Sequence, residues 1–208
     1  MSAEGSGLVP GDHADRVRWN AKWAAGSAPS FAPHPLAVRA LALDLPDGPV
    51  ADLACGPSGA ALLAAEQGRR VTAVDVSEVA LGLLGDEARR RGLGHLITLV
   101  HADLYTWAPE PRAHALVLCI GFWDAAIFRT AAAAVADGGL LAWEALTAGA
   151  RQGHPDIPPE FCVGPGEPAS LLPGGFTVSD QSDVPHRARR RLLARRRDTI
   201  SPSASGAG

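Results

Sequence analysis

A short turn of small residues is the part of the chain best suited to hold a ligand. It reads DLACGPSG over residues 52–59, follows an apolar run and precedes an Ala/Leu-rich stretch, as expected for a strand, a turn and a helix. Small side chains let a ligand lie against the backbone, and the helix N-terminus offers free N–H groups to a carboxylate or phosphate. Taken alone, this turn is equally compatible with a structural role.

Two aspartates follow the next two predicted strands, where they could bind the two ends of an adenosine. Asp75 stands nineteen positions after Gly56, close to the ~20-residue offset of the acid that takes ribose hydroxyls in dinucleotide-type folds. It would accept hydrogen bonds from both hydroxyls and repel a 2′-phosphate. Asp103 closes the third strand, where a carboxylate can receive an adenine amino group. Together these features favour nucleoside binding over a structural turn with a helix-capping acid.

Patterns typical of other chemistries are absent from the sequence. It contains no regular G-x-G-x-x-G of dehydrogenases, no G-x-x-x-x-G-K-[ST] of P-loop proteins and no G-x-S-x-G nucleophile elbow. The seven histidines are scattered without metal-ligand spacing, so we expect no metal site. An oxidoreductase is the least favoured hypothesis, because Asp103 does not suit nicotinamide binding.

The segments that would position these residues alternate between strand and helix. Strands are predicted over 50–54, 71–76, 96–102, 115–122 and 140–146, the last introduced by an Asp-Gly-Gly turn, with helices over 60–67, 79–91 and 125–135. Fully apolar strands that alternate with helices predict a parallel sheet covered on both faces. Residues 175–180 and 189–197 add an antiparallel pair. The expected fold is a Rossmann-like, doubly wound α/β domain with a mostly parallel seven-stranded sheet and an antiparallel C-terminal hairpin.

Length and composition limit the domain organisation and the location. The chain has 208 residues, of which 47% are apolar, so it can bury one core. We expect one domain over 13–200, with N-terminal helices over 13–45 and disordered ends at 1–12 and 201–208. The net charge of −3 excludes a bulk polycation. With three widely spaced cysteines, no secretory signal and no membrane span, a cytoplasmic location is expected.

Several segments together resemble the class I methyltransferases that use S-adenosylmethionine. They more closely resemble a bacterial group related to the tellurite-resistance and thiopurine-type enzymes. The matching pieces are RWNAKWA, DLACG, AVDVS, ADLYTW, ALVLCIGFWDAAIF and GGLLAWEALTAG, and the resemblance covers residues 14–197. It implies S-adenosylmethionine as cofactor, S-adenosylhomocysteine as product and an N-terminal helical lid.

The resemblance also implies which residues bind the cofactor. They lie at the ends of the first four strands: Asp52, Ala54, Cys55, Gly56, Ser58, Gly59, Asp75, Val76, Ala102, Asp103, Leu104, Cys119 and Gly121. Two positions depart from the family pattern. Ala54 replaces the commonest glycine, and Ser58 stands where a second close-contact glycine is usual, with Gly59 one place late. The second hypothesis is therefore a nucleoside-binding protein that keeps the fold but has lost turnover.

Three tryptophans are candidates for contact with the methyl acceptor. Trp19 and Trp23 are four positions apart and share one face if this segment is helical. They could form a lid over the cofactor, with ring faces toward its sulfonium, or pack on the sheet edge, and the two interpretations carry equal weight. Trp123 follows the fourth strand, at the carboxyl edge where ligands bind in open α/β folds.

No catalytic dyad is evident, and a methyl transfer needs none when the nucleophile is soft or already ionised. Glu144 lies in the fifth strand, where it either lines a pocket or makes a strand-end hydrogen bond; unpaired, it would titrate high. His154 is a weak candidate for a general base and equally an ordinary solvated loop residue. Asp124 is expected to cap the helix that follows the fourth strand rather than to act as a base.

Seven arginines crowd residues 187–197. One hypothesis is an RNA-facing surface of a nucleic-acid methyltransferase. The run lacks interleaved aromatics, which favours a solvated edge strand whose charges discourage edge-to-edge pairing. We therefore expect a small-molecule methyl acceptor, no nucleic acid, no membrane, and a monomer or homodimer.

Overall fold

The computed structural model describes residues 9–26 and 29–198. In this part of the chain the strands are β1 (Val50–Leu53), β2 (Val71–Asp75), β3 (Ile97–His101), β4 (His114–Ile120), β5 (Val135–Thr147), β6 (Cys162–Val163), β7 (Phe176–Val184) and β8 (Arg189–Arg196). The α-helices of the same residues are α1 (Ala14–Ala25), α2 (Pro35–Leu41), α3 (Gly59–Glu66), α4 (Glu78–Arg90) and α5 (Ala125–Ala134). Short 3₁₀ turns connect β5 to β8.

The strands form one sheet in the order β3-β2-β1-β4-β5-β8-β7, with β6 paired to β5 beside that path. Strands β1 to β5 are parallel, and β8 runs antiparallel to both β5 and β7. The predicted mostly parallel sheet with an antiparallel C-terminal hairpin is confirmed. The two-residue strand β6 was not predicted, because so short a segment shows no periodicity.

Strand β1 is the point from which the sheet is built outward in two directions. It pairs with β2, followed by β3, on one side and with β4, followed by β5, on the other. In open α/β sheets, ligands bind in the crevice outside the carboxyl ends of the strands at such a switch point. The turn after β1 and the ends of β2, β3 and β4 all lie at this edge. The sheet therefore brings together the cofactor residues expected from the sequence.

Each face of the sheet has its own apolar core. On one face α2, α3 and α4 pack against β1 to β5, and Leu62 and Leu84 are completely buried there. On the other face α5 covers Trp143, and Phe128 meets the Trp143 ring edge-on with centroids 5.2 Å apart. Trp123 belongs to this second core, is only 5% exposed and packs on both rings. Its packing explains its position, and a contact of Trp123 with the methyl acceptor stays a prediction.

The arginine-rich strand β8 is not an edge strand. It lies between β5 and β7, and β7 forms the edge. The expectation of a solvated edge at 189–197 was wrong because the hairpin folds back and inserts its second strand next to β5. Its arginines instead bind groups within the chain: Arg190 pairs with Asp183, Arg195 donates to the Gly138 and Asp44 carbonyls, and Arg196 donates to the Ala132 carbonyl.

Strand β5 begins earlier than the sequence indicated. Val135 already pairs with His114, after which the register shifts so that Leu116 faces Leu140. The Asp-Gly-Gly segment predicted to introduce the strand is therefore a bulge within it, and Gly138 takes a positive φ of 71° there. The predicted helices agree with the observed ones to within two residues, since their apolar faces and caps are local signals.

The ends of the predicted domain are only partly described. Residues 1–8 of the expected disordered head and the whole expected tail, 201–208, lie outside the described residues. Val9 is buried, and its carbonyl accepts a hydrogen bond from Arg16 at 3.3 Å. Within residues 9–26 and 29–198, no helix combines the length and the apolar character needed to cross a bilayer. Cytoplasmic location and a monomeric or dimeric state stay predictions.

Candidate active site

The turn after β1 bends sharply enough to present its backbone to the crevice. Ala54 and Gly56 both take left-handed conformations, with φ of 47° and 56°. The Cys55 N–H donates to the Val74 carbonyl at 3.0 Å, which ties the turn to β2. Burial raises the pKa of the Cys55 thiol well above its usual range, so Cys55 is packing rather than a nucleophile.

Ser58, the apparent departure from the glycine pattern, has a clear structural task. Its side-chain oxygen caps α3 by accepting the N–H groups of Ala60 and Ala61, at 3.1 and 3.0 Å. The same hydroxyl donates to Asp52 Oδ2 at 2.5 Å. A serine directly before an Ala/Leu-rich helix is a signal that the sequence already carried.

Ser58→Ala is expected to lower the free energy of unfolding by about 1–2 kcal/mol, because it removes a helix cap and leaves the buried Asp52 carboxyl without its donor. Urea denaturation followed by tryptophan fluorescence measures the change. Ser182→Ala, at an exposed hydroxyl on β7, is the matched control. Equal stabilities of the two variants would contradict this role.

The Asp52 carboxyl at the end of β1 is buried, with 3% of its surface exposed. Burial raises its pKa to about 7, against the opposing Ser58 hydrogen bond and with a further increase from the Asp75 charge. Among the described residues it faces no cation. This carboxylate is therefore poised to ionise when a positive group comes beside it.

Asp75 joins the turn to the start of α4. Its Oδ2 accepts the Gly56 N–H at 2.7 Å, and its Oδ1 accepts the Ser77 N–H at 2.8 Å. Burial raises its pKa, against these hydrogen bonds. A carboxylate offers about four acceptor sites, so lone pairs remain on both oxygens for the hydroxyls of a ligand.

Helix α1 lies across this edge of the sheet and docks through polar contacts. Arg16 pairs with Glu78 at 2.6 Å, the Ser77 hydroxyl donates to Asn20 Oδ1 at 2.6 Å, and His13 Nε2 lies 3.2 Å from Asp103 Oδ2. Asp103, expected to receive an adenine amino group, is thus already in contact with the N-cap of α1. Its Oδ1 accepts the Tyr105 N–H at 3.0 Å.

The tryptophans of α1 lie over the turn. Trp19 and Trp23 stack with their centroids 6.4 Å apart, and Lys22 Nζ lies 4.3 and 4.8 Å from the two ring centroids. A Cβ placed on Gly56 would lie 3.5 Å from the Trp23 ring. Helix α1 packs on α4, so Trp23 lies beside the turn. The lid over the cofactor stays a prediction.

Gly59 is needed for a close backbone crossing. A Cβ there would lie only 2.4 Å from the Phe31 carbonyl oxygen and 2.7 Å from that of Ala32. Because glycine has no side chain, the backbone of residues 31–32, which leads into α2, can pack directly against Gly59. A cavity of about 170 Å³ remains beside this crossing. Its walls include Asp52, Ala54, Cys55, Ser58, His34 and Ile120.

Glu144 is the centre of a buried ion-pair cluster. It is 1% exposed, and its Oε2 lies 2.6 Å from Arg191 Nε and 3.4 Å from His34 Nε2, while its Oε1 lies 3.6 Å from Arg189 Nε. Burial raises its pKa, but the hydrogen bonds from His34 and Arg191 outweigh burial and lower it to about 2. Glu144 is therefore a fixed charge and a poor general base at neutral pH.

Other candidate residues have simpler roles. Asp124 caps α5 by accepting the Ala126 and Ile127 N–H groups, as predicted. Cys119 is completely buried in β4, and burial raises its pKa. His154 is exposed in the loop after β5, where its side chain makes no hydrogen bond or ion pair with the described residues. Gly121 directly follows β4 with a positive φ of 92°, and its N–H donates to the Glu144 carbonyl at 2.7 Å.

Several residues of this edge were missed by the sequence interpretation. His13 and His34 are helix N-caps and belong to no motif. Lys22 lies between the two tryptophans of RWNAKWA, where only the tryptophans were interpreted as site residues. Arg189 and Arg191 were hidden within a run that looked uniform. In β8 they lie on the face of Glu144, whereas Arg190 lies on the opposite face.

Residues 50–139 match the family model described as a methyltransferase domain. On the Rossmann-like sheet, this match supports a methyltransferase that uses S-adenosylmethionine as its cofactor. No curated protein matches the sequence. The narrower resemblance to tellurite-resistance and thiopurine-type enzymes stays a prediction.

Solved structures share the fold at low sequence identity. One comes from work on the conversion of a disulfide bond into a thioacetal group during echinomycin biosynthesis, with a TM-score of 0.65, 22% identity and coverage of 90% of this chain and 94% of the other. The CcbJ methyltransferase of Streptomyces caelestis has a TM-score of 0.64 and 14% identity, and the match covers 86% of this chain and 96% of that one. An S-adenosylmethionine-dependent methyltransferase of Mesorhizobium loti has a TM-score of 0.59 and 19% identity, and the match covers 77% of this chain and 96% of that one.

The residues present suit this cofactor. Asp75 keeps free lone pairs for ribose hydroxyls, and the turn exposes backbone at residues without large side chains. The buried Asp52 carboxyl has no cation beside it among the described residues, which suits the ammonium of the methionine portion. The crevice therefore offers complementary groups to both ends of the molecule.

Proposed function

We propose that the protein transfers a methyl group to a small-molecule nucleophile by in-line displacement, and that proximity and orientation supply most of the catalysis. The observation that carries this proposal is the position of α1, whose Trp23 lies over Gly56 and narrows the crevice. A crevice covered by a docked helix suits a small acceptor better than a folded RNA. The arginines of β8 add support, because Arg190, Arg191, Arg195 and Arg196 bind groups inside the chain.

In this proposal each cofactor contact belongs to a residue at the carboxyl edge. Asp75 holds the ribose hydroxyls, Asp103 receives the adenine amino group, and Asp52 holds the ammonium. The turn from Ala54 to Gly59 and the backbone of Cys119 to Gly121 lie along the methionine portion, and Val76, Ala102 and Leu104 flank the adenosine. When bound, S-adenosylmethionine supplies an electrophilic methyl group on a sulfonium.

The remaining residues position the acceptor and exclude water. The Trp19 and Trp23 rings lie on the lid, where their faces attract positive charge and shield the site from solvent. Glu144, with a pKa of about 2, does not take up the proton of the acceptor at neutral pH. The proposal therefore requires an acceptor that is soft or already ionised. Good orientation alone can then give effective molarities on the order of 10⁵–10⁸ M.

A turnover screen tests this proposal. The enzyme is incubated with methyl-labelled S-adenosylmethionine and small thiols, phenols and amines, with total RNA in a parallel reaction, and S-adenosylhomocysteine and labelled products are quantified. We expect acceptor-dependent S-adenosylhomocysteine with at least one small-molecule class and no label in RNA. Label in RNA alone, or no turnover by a protein that binds the cofactor, would contradict the proposal.

A further inference from the structure

Two cations, Arg189 of β8 and Lys22 of α1, keep donor groups without a hydrogen-bond partner among the described residues. Arg189 approaches Glu144 only through Nε, at 3.6 Å, and its side chain is 30% exposed. In the part of the chain that the structure describes, the terminal nitrogens of Arg189 make no hydrogen bond. Lys22 lies on the rings of Trp19 and Trp23, and no described carboxylate is within ion-pair distance of it. Both groups therefore keep donors free for a ligand.

The two cations act on one another. Partial burial lowers the pKa of Lys22 most, and the charges of Arg18 and Arg189 lower it further. The described carboxylate that contacts Arg189 is that of Glu144, and it is already bound by Arg191 at 2.6 Å. Positive charge is thus in excess between the lid and β8. Such an arrangement is stabilised when an anion binds between the cations.

The excess charge lies beside the expected position of the reaction. Arg189 Nη1 lies 3.4 Å from the place of a Cβ on Gly121, at the carboxyl end of β4. On the other side, Trp23 lies over Gly56 of the turn. An anion bound by Arg189 would therefore lie at the end of the crevice formed by β4, β8 and α1, next to the methionine portion of the cofactor.

We propose that the methyl acceptor carries a carboxylate, which Arg189 binds through its terminal nitrogens with Lys22 as the second cation. This inference rests on the proposed methyl transfer and names the acceptor class. The planar guanidinium matches a carboxylate with two parallel hydrogen bonds, whereas the ammonium acts as a point charge. The carboxylate selects and orients the acceptor, and the nucleophile is a separate atom of the same molecule.

The carboxylate of the cofactor itself is the other possible source of this chemistry, and the test separates the two. Benzoate and its neutral analogue benzamide are titrated into the complex with S-adenosylhomocysteine, for wild type, Arg189→Gln, Arg189→Lys and Arg197→Gln. Arg197 is exposed beyond β8 and serves as the matched control. The affinity for S-adenosylhomocysteine is measured for each variant without benzoate.

We expect benzoate to bind the wild-type complex and benzamide not to. Arg189→Gln should weaken benzoate at least tenfold, Arg189→Lys should weaken it less, and Arg197→Gln should change nothing. The affinity for S-adenosylhomocysteine should stay within twofold throughout, which also shows that the variants are folded. The inference would be overturned if Arg189→Gln lost S-adenosylhomocysteine binding while its benzoate affinity was unaffected. It would also be overturned if the wild-type complex did not bind benzoate.

The same variants distinguish this inference from the function on which it rests. If the turnover screen finds only neutral acceptors, methyl transfer is supported and the assignment of a carboxylate-bearing acceptor is wrong. If no acceptor of any class is methylated while benzoate binds as described, the proposed function is wrong and only the anion site is supported.

Discussion

Glu144→Ala is expected to lower the free energy of unfolding by about 3–5 kcal/mol. The substitution leaves Arg191 and His34 without the carboxylate that they share, and breaking one side of a buried ion pair has a cost of this size. It also opens a space in the sheet where Glu144 is 1% exposed. Urea denaturation followed by circular dichroism measures the loss.

Two further variants show whether the ion pair is responsible. Glu144→Gln keeps the shape and one acceptor oxygen, so its loss should be smaller than that of Glu144→Ala. Glu66→Ala removes an exposed carboxylate that pairs with Arg91, and we expect a loss below about 1 kcal/mol. If Glu144→Ala were no more destabilising than Glu66→Ala, the cluster would have no structural role.

Asp52→Asn is expected to weaken S-adenosylmethionine binding at pH 8 by about tenfold to a hundredfold, because the asparagine offers no charge to the ammonium. It should also remove a pH dependence of the wild type. With a pKa of about 7, Asp52 is mostly protonated at pH 6 and must lose its proton on binding. Wild-type affinity should therefore fall about tenfold between pH 8 and pH 6.

Calorimetric titration at both pH values, in buffers of different ionisation enthalpy, measures the affinity and the released proton together. Asp47→Asn, at an exposed aspartate before β1, should retain the wild-type behaviour. For the stability of the free protein, the raised pKa of Asp52 has the opposite consequence: stability falls as pH rises, whereas the affinity for the cofactor increases. The stability contributed by Asp52 falls between about pH 4 and pH 7, since the unfolded carboxyl loses its proton first. Proton release that persists in Asp52→Asn would point to another group.

The order of elements and the position of the crevice could be predicted because their signals are local. Apolar strands followed by amphipathic helices are read within windows of a few residues. The turn at 52–59 and the offset from Gly56 to Asp75 describe one β-α-β unit, which the sheet places as expected. Even Asp124 as the cap of α5 follows from the residues beside it.

The contacts that complete the site could not be predicted, because they join distant parts of the chain. Glu144 and Arg191 are 47 residues apart, and His13 and Asp103 are 90 apart. Nothing local indicates that the hairpin inserts β8 beside β5, which is what directs Arg189 and Arg191 toward Glu144. Ser58 was misjudged for another reason: comparison with the glycine pattern obscured its role as a cap.

The most direct test of the account is calorimetric titration of S-adenosylmethionine and S-adenosylhomocysteine into wild type and Asp75→Ala. Asp75→Asn is the second variant, because its side-chain oxygen can still accept one backbone N–H at the turn. We expect micromolar binding of both compounds by wild type, no measurable binding by Asp75→Ala and weakened binding by Asp75→Asn. Absence of binding by folded wild-type protein, or unchanged affinity in both variants, would contradict a cofactor site at the carboxyl edge of β1 and β2.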